Sequence, residues 1–202
     1  MPLWLAARPL VLASQSAVRR ALLEAAGVPV AVAPAAIDER AAEAKAGERD
    51  PAKVAAVLAR AKAGAVAAKQ PGRLVLGADQ TLALGERRFS KAADRAGARQ
   101  QLTALRGKTH ALHSALAVVR DGAVLFEHLD TARLTMREFS DAFLDSYLDT
   151  VGSAVTRSVG GYQLEGAGIQ LFERVEGEHS TILGLPLMPL LRWLRNEGLL
   201  AR

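Results

Sequence analysis

The sequence contains no cysteine, so disulfide bonds, thiol nucleophiles and cysteine-ligated zinc are all excluded. Aromatic residues make up only 4% of the chain, which leaves few rings for base stacking, and we expect no stable nucleic-acid binding. Residues 1–11 are apolar but are interrupted by Arg8 and Pro9, and no stretch approaches the roughly 20 apolar residues of a membrane span. We therefore expect a cytoplasmic protein without a membrane segment.

The chain has enough length and apolar content to bury a core. It has 202 residues, of which 50% are hydrophobic and 23% charged, as in soluble globular proteins. We expect one domain over residues 1–202, built either as one unit or as two lobes around a central cleft. The net charge of +5 suits anionic ligands without specifying one.

Short apolar runs alternate with helical periodicities, which indicates an α/β fold. Strands are predicted at residues 9–13, 28–33, 74–77 and 169–175, with an extended continuation at 81–84. Helices are predicted at 17–26, 51–69, 93–105, 141–149 and 186–196. A hairpin of residues 109–119 and 123–137 is predicted around Asp121 and Gly122, a pair typical of type I′ turns. We expect a mixed, twisted sheet flanked by helices, with irregular chain at 35–49 and 152–168.

The first predicted strand is joined to the first helix by a turn that contains Ser14 and Ser16. A helix N-terminus attracts phosphate, and Arg19 and Arg20 beside it would complete an anion clamp. The alternative is an ordinary serine N-cap followed by two solvated arginines. Arginines near a helix N-terminus oppose the helix dipole unless an anion binds there, which favours the clamp.

Carboxylates follow two of the predicted strands. Asp79 comes at the carboxyl end of the strand at 74–77, where α/β proteins place catalytic groups, and it could hold Mg²⁺ or activate a water. Glu39 follows the second strand and offers another carboxylate. Lys62 and Lys91 could neutralise a polyphosphate. The alternatives are a turn aspartate, a surface-loop glutamate and two solvated lysines.

The four histidines and the serines offer little further chemistry. His110 and His113 lie three residues apart on a predicted strand, hence on opposite faces, which is poor geometry for zinc. We therefore expect all four histidines to be structural or exposed. A serine nucleophile is not expected, because no G-x-S-x-G motif is present.

The order of these motifs is more informative than any one of them. The chain carries, in succession, LASQSAVRRALLEAAGV, an IDE segment, LARAKA, VLGADQ, a lone lysine in FSKA, QLTALRGKTHALHSALAV, YQLEGAGIQLFERVEG and ILGLPL. From residue 12 to residue 198 this succession resembles the Maf (septum-formation-inhibitor-like) family.

The resemblance implies an enzyme that hydrolyses nucleoside triphosphates to the monophosphate and pyrophosphate, with a fold similar to that of the inosine triphosphate pyrophosphatases. It also implies a divalent metal, Mg²⁺ or Mn²⁺, and a homodimer. By similarity, Asp79 is the proton acceptor, and Glu39 and Asp79 are associated with the metal. The phosphate-binding residues that the resemblance implies are Ser14, Arg19, Arg20, Lys62 and Lys91.

One branch of the family acts on dTTP and UTP, and another acts on 7-methyl-GTP. The first typically shows Gly-Ala-Asp-Thr, whereas Gln80 follows Asp79 here, as in the second. Glu165 also resembles the second branch, and an acid suits the N–H edge and positive charge of a methylated guanine. Val18 stands where that branch often has tryptophan, which removes a stacking partner. We expect Val18, Gln80 and Glu165 to set a preference for 7-methyl-GTP or a related modified purine.

Three alternatives stay open at this point. The chain could be a dTTP and UTP pyrophosphatase of the same family. It could be a non-catalytic nucleotide sensor that regulates cell division, although Arg19, Glu39, Asp79 and Lys91 are all present. It could be an RNA-binding module, which the scarcity of aromatics disfavours.

Overall fold

The computed structural model describes residues 2–202, which form seven strands, seven α-helices and two 3₁₀ helices. The strands are β1 (Leu10–Leu12), β2 (Val30–Val32), β3 (Val75–Leu84), β4 (Arg87–Phe89), β5 (Thr109–Arg120), β6 (Ala123–Met136) and β7 (Phe172–Glu176). The α-helices are α1 (Ala17–Ala25), α2 (Glu39–Ala46), α3 (Pro51–Ala67), α4 (Arg95–Leu105), α5 (Asp141–Val151), α6 (His179–Ile182) and α7 (Leu187–Asn196). The 3₁₀ helices are Gly152–Thr156 and Ala167–Leu171.

All seven strands join one mixed sheet, which confirms the expected α/β class. The strand order is β2-β1-β3-β5-β6-β7, and β4 pairs with β3 beside this path. β1 is parallel to both β2 and β3, whereas the other pairings are antiparallel. No helix among residues 2–202 combines the length and apolar character that a bilayer crossing requires.

Helix α3 packs directly against β3 because Gly77 has no side chain. A Cβ on Gly77 would lie 2.2 Å from the carbonyl oxygen of Ala59 and 2.6 Å from the amide nitrogen of Ala63. The alanines of α3 fill this interface with little volume, and Val75 and Ala115 complete it from the sheet side. This close approach brings Lys62, between the two contact points on α3, up to the strand.

Larger apolar side chains fill the other two core clusters. One contains Leu10, Leu12 and Leu76 of the sheet, against which α1 and α7 pack. The other lies towards the far end of β3 and β6, where α4 and α5 pack with Leu82 and Leu134. Residues of several loops and strands surround a large cavity beside the core.

The long hairpin confirms its sequence prediction. β5 and β6 pair from Thr109 to Arg120, and Asp121 and Gly122 at the turn have φ angles of 50° and 80°. Positive φ at both central residues is what a type I′ turn requires. The predicted alternation in β6 is also correct, since its inward residues are fully buried. These are Ala132, Leu134 and Met136.

Two secondary-structure predictions were wrong, one at Asp79 and one at the segment that contains Glu39. Asp79 does not end a strand: β3 runs unbroken from Val75 to Leu84, and its pairing with β5 passes through Asp79. In the sequence Gly77 looks like a glycine that ends a strand, but in the structure it allows the close contact with α3. Residues 35–49 are not irregular, because α2 begins after the Asp38 N-cap and ends at Gly47 with φ of 65°. No α2 residue is buried, so the helix lacks the apolar stripe that periodicity detects.

The glycine-rich segment is more ordered than expected. Residues 152–168 contain the 3₁₀ helix Gly152–Thr156 and the start of the next, Ala167–Leu171. The strand predicted at 169–175 begins later, as β7 at Phe172. Gly168 packs so closely on the segment before it that a Cβ there would lie 2.4 Å from the Gln163 carbonyl oxygen.

Candidate active site

A cavity of about 1010 Å³ opens beside the middle of β3. One wall consists of the turn before α1, the first turns of α2, and α3 with β3; we call this the carboxylate wall. A second wall is formed by side chains of the segment 157–165, which we call the loop wall. Segments 88–91 and 182–183 close the remaining sides.

A three-residue cluster forms the centre of the carboxylate wall. The Lys62 Nζ lies 2.5 Å from Oδ1 of Asp79 and 2.8 Å from Oε1 of Glu39. The Lys62 and Asp79 side chains are only 13% and 11% exposed, whereas that of Glu39 is 51% exposed. Three residues that the sequence places far apart are thus brought together by the packing of α2 and α3 on β3.

Burial raises the pKa of the Asp79 carboxyl above its usual value of 3.8. Lys62 and Arg19 oppose this shift because their positive charges favour the carboxylate. A carboxylate with a raised pKa is a better proton acceptor than an exposed aspartate. The environment of Asp79 therefore suits a general base.

The turn before α1 holds an arginine at the cavity. The Ser16 side chain caps the helix by accepting from the Arg19 backbone N–H at 3.3 Å. The Arg19 guanidinium donates through Nε to the Gly184 carbonyl at 2.8 Å, and through Nη1 to the Ala78 carbonyl at 2.8 Å and Ser14 Oγ at 3.2 Å. Residues 2–202 give Nη2 no hydrogen-bond partner. Burial lowers the pKa of Arg19, against the opposing effect of Asp79.

The other predicted phosphate ligands divide between the cavity and the surface. Ser14, Lys62 and Lys91 line the cavity. Arg20 does not: its Nε lies 2.8 Å from Oε1 of Glu24 on the exposed face of α1. Arg20 is thus a solvated arginine, which was the alternative to its role in an anion clamp.

Sequence reasoning missed Arg157, which lines the cavity near Lys91. Lys91 forms an isolated β-bridge with Val159, and this bridge ties the lysine to the segment that carries Arg157. No local pattern identifies Arg157, since it is a lone arginine in a segment predicted to be irregular.

Gln80 is held in one orientation at the cavity. Its Nε2 lies 2.8 Å from Ser114 Oγ, 3.1 Å from the Thr181 carbonyl and 3.0 Å from the Ile182 carbonyl. Carbonyl oxygens only accept hydrogen bonds, so the amide nitrogen must face them. The side-chain oxygen of Gln80 has no partner among residues 2–202 and remains available to a ligand.

The loop wall brings Glu165 to the cavity, and Val18 lines it from the first turn of α1. Behind the loop wall, the buried His110 Nε2 lies 2.7 Å from the Tyr162 hydroxyl, and Phe172 packs against both rings. Burial lowers the pKa of His110 to about 4, so this imidazole is neutral at physiological pH. His110 is structural, as expected, and no sequence pattern indicates that it packs behind the loop wall.

The carboxylates of Glu39 and Asp79 suit a hard divalent cation. Their oxygens converge on one point, where the Lys62 ammonium lies, and Mg²⁺ is commonly bound by one or two carboxylates together with phosphate oxygens. Glu43 also lines the cavity but pairs with Arg88 at 2.6 Å. Within residues 2–202, no cluster of three or more His, Asp or Glu side chains forms a larger metal site.

Comparison with known families identifies the family of this chain. A family model described as "Maf-like protein" matches residues 9–197. The chain belongs to the Maf family. Pyrophosphatases of the Maf family generally depend on a divalent metal, and the convergent carboxylates of Glu39 and Asp79 are consistent with this.

Full-length relatives support the assignment. A protein of Rhodopseudomonas palustris (strain BisB18) named nucleoside triphosphate pyrophosphatase is 56% identical over 100% of both chains. A protein of Rhizobium etli named 7-methyl-GTP pyrophosphatase is 54% identical over 94% of this chain and 96% of its own. A dITP/XTP pyrophosphatase structure from Mycobacterium abscessus covers 95% of this chain and 96% of its own, at 17% identity and a TM-score of 0.41, which is too low to support an argument.

Proposed function

We propose that this Maf-family nucleoside triphosphate pyrophosphatase acts on 7-methyl-GTP, releasing 7-methyl-GMP and pyrophosphate in the presence of Mg²⁺. The observation that carries the substrate proposal is the fixed amide of Gln80, which leaves an acceptor oxygen for the ligand. Glu165 on the loop wall adds a second acceptor group.

Acceptor groups at the cavity favour guanine over the pyrimidines. The Watson–Crick edge of guanine presents two adjacent donors, N1–H and the 2-amino group. Uracil and thymine present one N–H between two carbonyls, which would face the acceptors of Gln80 and Glu165 unfavourably. The 7-methyl group makes the purine cationic, and the carboxylate of Glu165 offsets that charge.

The basic residues of the cavity are proposed to bind the triphosphate. Arg19 can offer Nη2 while its other donors stay bonded to Ser14, Ala78 and Gly184. Lys62 lies on the same wall, and Lys91 lines the cavity from segment 88–91. In this proposal Arg19 and Lys91 stabilise the departing pyrophosphate, whereas Arg20, which pairs with Glu24, takes no part.

Asp79 is proposed to act as the general base. It would accept a proton from the water that attacks the α-phosphorus, as the bond from that phosphorus to the bridging oxygen of the β-phosphate breaks. Glu39 and Asp79 would hold Mg²⁺, which when bound offsets charge on the phosphoryl oxygens.

The test is pyrophosphate release from dTTP, UTP, CTP, GTP and 7-methyl-GTP, with and without Mg²⁺. We expect metal-dependent release that is fastest with 7-methyl-GTP. Gln80→Met removes the acceptor oxygen together with the Nε2 contacts that fix it, and should lower kcat/KM for 7-methyl-GTP by on the order of ten-fold or more while changing UTP hydrolysis less. Gln100→Met on the exposed face of α4 is the matched control.

Other outcomes would redirect the proposal. Strong turnover of dTTP and UTP with none of 7-methyl-GTP would contradict the substrate assignment and support the other branch of the family. No release from any nucleotide would contradict the reaction and favour a nucleotide sensor.

We also infer that the enzyme is cytoplasmic and, as the family resemblance implies, a homodimer. Light scattering on the purified full-length chain tests the oligomeric state, and a mass equal to one chain would contradict it.

A further inference from the structure

Lys62 contacts the same two carboxylates that would hold the metal. Its Nζ is bonded to Oδ1 of Asp79 and to Oε1 of Glu39, so both oxygens point at one cation position. We propose that the ammonium group competes with free divalent ions for this position, so that the metal binds only as a complex with the triphosphate. This proposal rests on the metal-binding role of Glu39 and Asp79 proposed above.

The protein offers a free ion too few ligands. Residues 2–202 contain no cluster of three His, Asp or Glu side chains at the cavity or elsewhere. Mg²⁺ requires near-octahedral coordination and keeps its waters unless carboxylates and phosphates replace them together. Two carboxylates that are already bonded to an ammonium group therefore form an incomplete site, which the oxygens of a triphosphate would complete.

The charges around the site also disfavour a free cation. Lys62 and Arg19 balance the negative charges of Glu39 and Asp79. Across the whole cavity, basic side chains outnumber acidic ones, with Arg19, Lys62, Arg88, Lys91 and Arg157 against Glu39, Glu43, Asp79 and Glu165. A free divalent ion would add positive charge to this cavity, whereas a metal–triphosphate complex brings net negative charge.

Lys62 can exchange partners without a movement of the fold. Helix α3 is fixed on the sheet by its contact with Gly77, whereas the lysine ammonium is carried on a flexible four-carbon chain. Rotation of that chain would move the ammonium from the carboxylates to a phosphate oxygen. The metal and the nucleotide would then each raise the affinity of the other, because only the nucleotide draws Lys62 away.

The test is a Mn²⁺ titration of the full-length protein, in which electron paramagnetic resonance measures the unbound ion. Titrations are run alone and with the α,β-methylene analogue of GTP, which cannot be cleaved at the α–β position. The variants are Lys62→Met, which removes the competing charge, and Lys62→Arg, which keeps it. Lys53→Met is the matched control, because Lys53 lies on the same helix with its side chain 66% exposed.

We expect the analogue to raise the Mn²⁺ affinity of the wild type by on the order of ten-fold or more. Without nucleotide, Lys62→Met should bind Mn²⁺ on the order of ten-fold more tightly than the wild type, whereas Lys62→Arg and Lys53→Met should not. If Lys62→Met does not fold, Lys62→Gln, which also removes the positive charge, is measured in its place and the same result is expected.

Two results would overturn the proposal in distinguishable ways. Tight Mn²⁺ binding by the wild type without nucleotide, equal to that of Lys62→Met, would show that Lys62 does not compete, while leaving Glu39 and Asp79 as ligands. No Mn²⁺ binding by Lys62→Met or by the wild type with the analogue would show that Glu39 and Asp79 are not the metal site.

Discussion

The two walls of the cavity are built in different ways. The carboxylate wall consists of side chains on regular elements: Asp79 within a ten-residue strand and Lys62 on a helix that touches that strand's backbone. The loop wall is irregular chain with two consecutive positive-φ glycines, Gly160 and Gly161. It is held from behind by the His110–Tyr162 hydrogen bond. The residues proposed for the reaction thus lie on the carboxylate wall, whereas base selection is proposed to use both walls, through Gln80 on β3 and Glu165 on the loop wall.

Removing the Asp79 carboxylate from the centre of the carboxylate wall should have the largest effect on activity. Asp79→Asn keeps the shape of the side chain but cannot accept a proton from the attacking water. We expect pyrophosphate release to fall by on the order of 10³-fold, the usual range for loss of a general base. Asp149→Asn, at an exposed position on α5, should retain full activity. Full turnover by Asp79→Asn would remove Asp79 from the base role.

A side chain at Gly77 should push α3 away from β3 and so disrupt the carboxylate wall. Gly77→Val would place a side chain against the backbone of Ala59. Backbone atoms of a packed helix cannot move aside as the end of a flexible side chain can. We expect a loss of about 3 kcal/mol in the free energy of unfolding, together with loss of activity as Lys62 moves away from Asp79.

The control for that change lies on the helix itself. Gly64 has no neighbouring atom near the position of an added Cβ, so Gly64→Ala should fit and raise stability by about 0.5 to 1 kcal/mol. Urea unfolding measures both variants, and an unchanged midpoint for Gly77→Val would contradict the packing argument.

A smaller effect is expected when the loop wall loses its support. His110→Phe removes the hydrogen bond to Tyr162 and should cost about 1 to 2 kcal/mol in stability. The looser loop should raise KM for 7-methyl-GTP several-fold and leave kcat nearly unchanged. His113→Phe on the opposite face of β5 is the control. A fall in kcat with KM unchanged would show that the support behind the loop wall affects the reaction rather than substrate binding.

The smallest effect is expected at Arg20. Its ion pair with Glu24 is exposed, and such pairs contribute about 0 to 1 kcal/mol. Arg20→Ala should therefore change kcat/KM by less than about two-fold, whereas Arg19→Ala should lose most activity. A large loss with Arg20→Ala would show that this side chain turns into the cavity when nucleotide binds.

The sequence was informative where local chemistry decides the structure. Asp50 and Pro51 marked the start of α3, and Asp121 and Gly122 marked the hairpin turn, because caps and turns depend on adjacent residues. It failed at α2, whose residues are not buried and so show no apolar periodicity. It also placed Asp79 at a strand end, because a glycine that serves helix packing resembles one that ends a strand.

Some site residues could be identified from the sequence, and others only from the structure. Motif order led to Asp79, Lys62 and Glu39, but their mutual contacts depend on how α2 and α3 pack on the sheet. Arg157 and the support that His110 gives to the loop wall have no sequence signature. Their contribution depends on long-range packing, which no local pattern encodes.

The most direct test of the account measures kcat/KM for 7-methyl-GTP and UTP in the wild type, Asp79→Asn and Glu165→Gln. We predict that Asp79→Asn lowers both values by a similar factor and leaves their ratio unchanged. Glu165→Gln should lower the ratio of 7-methyl-GTP to UTP by on the order of ten-fold and leave UTP hydrolysis nearly intact. Full activity in Asp79→Asn, or an unchanged ratio in Glu165→Gln, would contradict the separate roles proposed for Asp79 in the reaction and Glu165 in base selection.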